Sequence, residues 1–112
     1  MTWPNDADGD VMRRLQNAGF DFSKKYKVDF NIDFDHWPLD KSEVQRILSL
    51  YPTAEFINPD EEDRKNGITT GYVLLVFNSE VSYEYVIATQ KSLSQEMSVI
   101  GGVCESWGVM HG

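Results

Sequence analysis

Cysteine is nearly absent. Cys104 stands alone among 112 residues, so no disulfide can close within the chain, and a reducing, cytoplasmic setting is the simplest reading. Basic residues are also few, ten Lys and Arg against eighteen Asp and Glu, which leaves a net charge of −8. A field of that sign repels nucleic-acid phosphates and anionic membranes and attracts basic segments, which argues against direct nucleic-acid binding. No apolar run approaches the roughly 20 residues of a membrane span. The start, Met1-Thr2-Trp3-Pro4-Asn5-Asp6, lacks the basic and apolar regions of a signal peptide. No membrane partner is implied. There is no internal repeat or low-complexity tract. Gly101-Gly102 lacks the third glycine and the strand-to-helix setting of a dinucleotide fingerprint, so no nucleotide cofactor is indicated.

Aromatics, by contrast, are plentiful. Six Phe, five Tyr and three Trp within a 41% hydrophobic chain suffice to fill a core despite the acidic balance. The length predicts one domain over residues 1–112, with 1–7 as a flexible lead.

The pattern predicts a short first helix capped by Asp8, carrying Val11, Met12 and Leu15 and stopped by Gly19. From Tyr26 to Phe34 the alternation is unbroken: Tyr26, Val28, Phe30, Ile32 and Phe34 on one face, Lys27, Asp29, Asn31 and Asp33 on the other. Asp40 and Glu43 form a capping box ahead of Val44, Ile47, Leu48 and Tyr51 at helical spacing, and Pro52 ends that helix. Residues 53–57 read as a brief strand, and the polar stretch 58–67 as a hairpin turn leading to the apolar strand Tyr72–Phe77. Ser79 or Ser82 caps a second long helix burying Tyr85, Thr89, Leu93 and Met97; Gly101-Gly102 stops it, and residues 103–110 form the last strand. Apart from the leading helix the order is β-α-β-β-α-β. It predicts an α+β, ferredoxin-like two-layer sandwich, with two helices on one face of a four-stranded antiparallel sheet.

Motifs for chemistry fall short. Asn5 to Asp10 resembles a calcium loop, but counting from Asp6 the sixth position is Val11 where glycine is needed, and the twelfth is Asn17 where a bidentate Glu is needed. His36 lies beside Asp33 and Asp35 without a second histidine near it, since His111 is in the tail; a turn histidine is the better reading than a metal ligand or general base. Cys104 reads as a buried, inert strand thiol. No catalytic residue, metal or cofactor is assigned, and the chain is not read as an enzyme.

The remaining signal is charge. Asp60, Glu61, Glu62 and Asp63 form an acidic run in the predicted turn, and Asp29 and Asp33 add two carboxylates on the wet face of the first strand. Together they offer a docking surface for a basic protein segment. The strand 72–77 supplies a second candidate. With either parity, Tyr72, Leu74 and Val76 or Val73, Leu75 and Phe77 fall on the open sheet face and want a cover. The alternative function is therefore a homodimer joined through that face, with a small-ligand or enzymatic cleft between subunits.

The segments Asp10-Val11-Met12-Arg13-Arg14-Leu15, Gly19-Phe20-Asp21, Ser23-Lys24, Val28-Asp29-Phe30 and Glu105-Ser106-Trp107-Gly108 resemble the ribonuclease E inhibitor B family, or regulator of ribonuclease activity B. The resemblance spans roughly residues 8 to 110 in element order, with Gly-x-Asp and Trp-Gly its main marks. It implies a ferredoxin-like fold and a protein that binds the arginine-rich region of ribonuclease E and tunes RNA decay. The matching positions Gly19, Asp21, Trp107 and Gly108 are expected to be structural. The chain departs from the inhibitors of that family near its start, where they carry a more acidic helical extension and this sequence has Arg13 and Arg14.

Overall fold

A computed structural model describes residues 3–110. The chain runs α1 (Ala7–Asn17), β1 (Lys25–Phe34), α2 (Lys41–Leu50), β2 (Glu55–Ile57), α3 (Glu61–Lys65), β3 (Tyr72–Glu80), α4 (Tyr83–Met97) and β4 (Gly102–Met110), with a 3₁₀ turn, Ser98–Ile100, before the last strand. The strands pair antiparallel in the order β2-β3-β1-β4. Two β-α-β crossovers produce this order when each returns the chain to the sheet beyond a neighbouring strand, so the fold is the α+β, ferredoxin-like sandwich that the element order predicts.

Alternation places the core. Val28, Phe30, Ile32 and Phe34 of β1 are buried, Val73 and Leu75 of β3 lie beside them, and Met12, Ile47, Val86, Leu93 and Met97 close over them from the helices. Each such side chain contributes roughly 1.5–3 kcal/mol by leaving water. On the far side of β1, Trp107 sits opposite Phe30 and Cys104 opposite Ile32; the register slips between them because Glu105 is an extra residue, a β-bulge.

Several local expectations change. α1 is capped by Asp6, whose carboxylate accepts from the Gly9 amide at 2.7 Å, and not by Asp8, which faces the core side of the sheet. Of the lead 1–7, Met1 and Thr2 lie outside the described residues. Trp3 is buried, and the Arg13 guanidinium donates to its carbonyl at 3.0 Å and to that of Pro4 at 3.2 Å. The capping box of Asp40 and Glu43 is present. Leu48, however, is exposed, because Ile47 already takes the one position of α2 that points straight into the core.

β2 starts only at Glu55, since the Ala54 amide turns back to the Tyr51 carbonyl at 3.0 Å. The β2–β3 hairpin forms, but the stretch 58–67 is not simply a turn: it holds α3, opened by a second capping box in which Asp60 and Asp63 each accept from the other's amide. Ser82, not Ser79, caps α4; Val86, Leu93 and Met97 are buried there, and Tyr85 and Thr89 only partly. Gly101 ends the 3₁₀ turn at φ +81°, where a side chain would be strained and would also strike the Asp35 carboxylate.

Candidate protein-binding surface

Among the described residues, no helix or strand covers the face of the sheet away from the long helices. Parity is settled by burial: Val73 and Leu75 are buried and Phe77 half-buried, so Tyr72, Leu74 and Val76 lie on the open face. Register then fixes their neighbours. Ile57, Tyr72, Asp33 and Val103 share one row, Glu55, Leu74, Asn31 and Ser106 the next, and Val76, Asp29 and Gly108 a third. The result is an apolar centre from β3 with carboxylates on both flanks. Asn31 Nδ2 donates to Ser106 Oγ at 3.1 Å, tying β1 to β4 across it. Gly108 leaves room for Asp29: a methyl group there would lie 3.2 Å from Oδ1.

Asp33 has its carboxyl pushed above the usual aspartate range, by burial first and then by the neighbouring charge of Glu105. Two acids crowd together there, and neither is in an ion pair among the described residues. The alternation in the sequence did not include Glu105. Its signal was the pair Glu105-Ser106, two successive polar residues between the inward Cys104 and Trp107, which is how a bulge reads in a strand.

The acidic run divides into two functions. Asp60 Oδ1 accepts from the Asp63 amide at 2.7 Å and Asp63 Oδ2 from the Asp60 amide at 3.1 Å, so these two acids open α3. Glu61 and Glu62 are exposed and make no such bond, which leaves their charge free for a partner. α3 follows Ile57 by a few residues, so it lies beyond the same end of the sheet as Asp33. Asp29 is two rows further in. Among the described residues, the ion pairs are Asp10 with Arg13, Asp21 with Lys24, and His36 with Asp35 and with Glu43. None involves Asp29, Asp33, Glu55, Glu105 or residues 60–63.

The other candidate groups are engaged within the chain. His36 is held between two carboxylates, Nδ1 to Asp35 at 2.6 Å and Nε2 to Glu43 at 2.9 Å, an arrangement that only the imidazolium satisfies with two donors. Its pKa is raised by the hydrogen bonds to Asp35 and Glu43. The bond to Glu43 joins the end of β1 to the capping box of α2. This role was missed because Glu43 is seven residues away and only the fold brings it near. His111 lies outside the described residues. Burial pushes the Cys104 thiol up to about 12.

The acids that suggested a calcium loop also have partners: Asp6 caps α1 and accepts from the Tyr83 hydroxyl at 2.7 Å, Asp8 accepts from Trp107 Nε1 at 2.7 Å and Gln90 Nε2 at 3.1 Å, and Asp10 pairs with Arg13. Among the described residues no cluster of three His, Cys, Asp or Glu is arranged to hold a metal, and no helix is long and apolar enough to cross a membrane. A cleft of about 610 Å³ lies between Trp3, Phe22 and the start of α4, and His36 does not line it.

The four positions singled out by motif have structural work. Gly19 sits at φ +80° just past α1, and Asp21 accepts from the Ser23 amide at 3.0 Å and hydroxyl at 2.6 Å. Trp107 packs against the core and bonds Asp8, and Gly108 accommodates Asp29. A family model described as regulator of ribonuclease activity B matches residues 5–109. No curated protein matches the chain.

Proposed function

The chain belongs to the family of regulator of ribonuclease activity B, and from that premise we propose that it is a non-enzymatic regulator that docks a basic, arginine-rich segment of a ribonuclease, ribonuclease E by family resemblance, and so modulates RNA decay. The observation that carries this reading is the set of unpaired acids. Asp29, Asp33 and Glu105 on the open sheet face, with Glu61 and Glu62 on α3, have no cation of the chain within ion-pair distance among the described residues. Carboxylates already paired would have to break those pairs to receive arginine. These do not, and a guanidinium binds a free carboxylate in a bidentate fork. Leu74 and Val76 between them give an apolar floor for the arginine stems.

The homodimer reading brings together two faces that each carry Asp29, Asp33 and Glu105, so that acids meet acids, and is the weaker of the two. A labelled arginine-rich peptide titrated at about 0.05 M and about 0.5 M salt tests the proposal, because screening shortens the reach of exposed charges to a few Å at the higher salt. Binding is expected at low salt and is expected to be lost at high salt. Equal affinity under both conditions would overturn the electrostatic docking.

A further inference from the structure

β3 is paired along only a third of one edge. All nine of its residues pair with β1, whereas β2 pairs only with Tyr72, Val73 and Leu74. Beyond Leu74 no backbone hydrogen bond joins this edge to another segment among the described residues. In an antiparallel strand every second residue aims both its N–H and its C=O at the same edge, so alternate residues of 75–80 present backbone groups there that no strand matches, although the Glu80 carbonyl accepts from Ser79 Oγ at 2.9 Å.

Phe77 of this stretch lines a groove of about 360 Å³ together with Tyr51, Tyr85, Ala88, Ser92 and Leu93. Glu96 is not on its lining but is bonded to two residues that are, Tyr51 and Ser92. Glu96 accepts from the Tyr51 hydroxyl at 2.8 and 2.9 Å and more distantly from Ser92, and no Lys or Arg of the described residues pairs with it.

We infer that the edge 75–80 receives an extended basic segment of the partner as an added strand, in line with β2. Its alternate apolar side chains enter the groove and one arginine or lysine reaches Glu96. Main-chain bonds to the edge supply affinity, and the groove selects side chains at every second position. The occupant is another protein rather than a second copy, because a net charge of −8 on each chain opposes self-association and a cation is what Glu96 lacks. The inference takes the basic nature of the partner from the proposed function. It places the contact at the sheet edge, whereas that proposal uses the open face and α3.

The test uses a synthetic peptide of roughly nine alternating arginines and valines, long enough to span the free edge. Two controls accompany it: the same peptide methylated on alternate backbone nitrogens, and an all-arginine peptide. Each is titrated into the isotope-labelled full chain with amide shifts and hydrogen exchange as readout. The alternating peptide is expected to shift and protect amides within 75–80, methylation is expected to abolish this, and Ala88→Arg, at an exposed position of the groove, is expected to weaken binding about tenfold or more. Binding of the all-arginine peptide with changes confined to the open face and α3, and none at 75–80 with either peptide, overturns strand addition while leaving the acidic docking reading intact. No binding of any peptide at low salt overturns both.

Discussion

Asp8 is the residue whose removal tests the tertiary reading most sharply. Its carboxylate, on α1, accepts from Trp107 Nε1 of β4 at 2.7 Å and from Gln90 Nε2 of α4 at 3.1 Å, so one side chain joins three elements that are distant in sequence. Asp8→Ala removes both acceptors and leaves the half-buried indole N–H without a partner. An unsatisfied donor of this kind costs about 1–3 kcal/mol. For a chain of this size that corresponds to a fall in Tm of roughly 4–12 °C. Asp8→Asn keeps one acceptor and loses the charge, so it is expected to cost about half as much or less. In a Trp107→Phe background the donor is already gone, and Asp8→Ala is then expected to cost about 1 kcal/mol less than in the parent chain. Urea unfolding followed by circular dichroism on the four members of the cycle measures this. Additive losses, or Asp8→Ala within about 0.5 kcal/mol of the parent, would refute the claim that this bond holds α1 onto the sandwich.

Glu61→Gln with Glu62→Gln leaves the Asp60–Asp63 capping box intact and removes two exposed charges; it is expected to weaken binding of an arginine-rich peptide roughly 2- to 30-fold and to flatten its salt dependence, by titration calorimetry. His36 has a folded pKa raised above 6.5 by Asp35 and Glu43, so its stabilising contribution is fully present below that value and is lost as pH rises through the folded pKa. His36→Gln is expected to flatten the fall in stability from about pH 6 to about pH 9, and an unchanged slope would count against the clamp. Cys104, with its thiol pushed up to about 12 by burial, is expected to react with a disulfide reagent near neutral pH only as fast as the chain unfolds; rapid labelling of the native protein would contradict that burial.

The legible parts of the fold were those governed by local periodicity and capping. The alternation from Tyr26 to Phe34 is a strand because every second side chain enters the core, and Asp40 with Glu43 closes a helix end within four residues of chain. The helix in 58–67 was not legible as such. Asp60 and Asp63 have the spacing of a capping box, but no apolar periodicity follows them, since α3 buries no residue.

The acidic residues show the same division. Their sign and number are properties of composition, and so is the preference for a basic partner. Which of them remain free is not, because an ion pair depends on approach in space. Asp10, Asp21, Asp35 and Glu43 are spent on Arg13, Lys24 and His36, while Asp29 and Asp33 are left unpaired on the open face and gain Glu105 through a bulge. By itself the sequence determined the order of the four strands and of the helices other than α3, the buried face of β1 and the charge of the whole. Only the tertiary structure decided the parity of β3, the uncovered edge beyond Leu74 and the position of Glu96 beside Tyr51. Register and long-range packing set those features, and a residue's near neighbours in the chain carry almost no information about either.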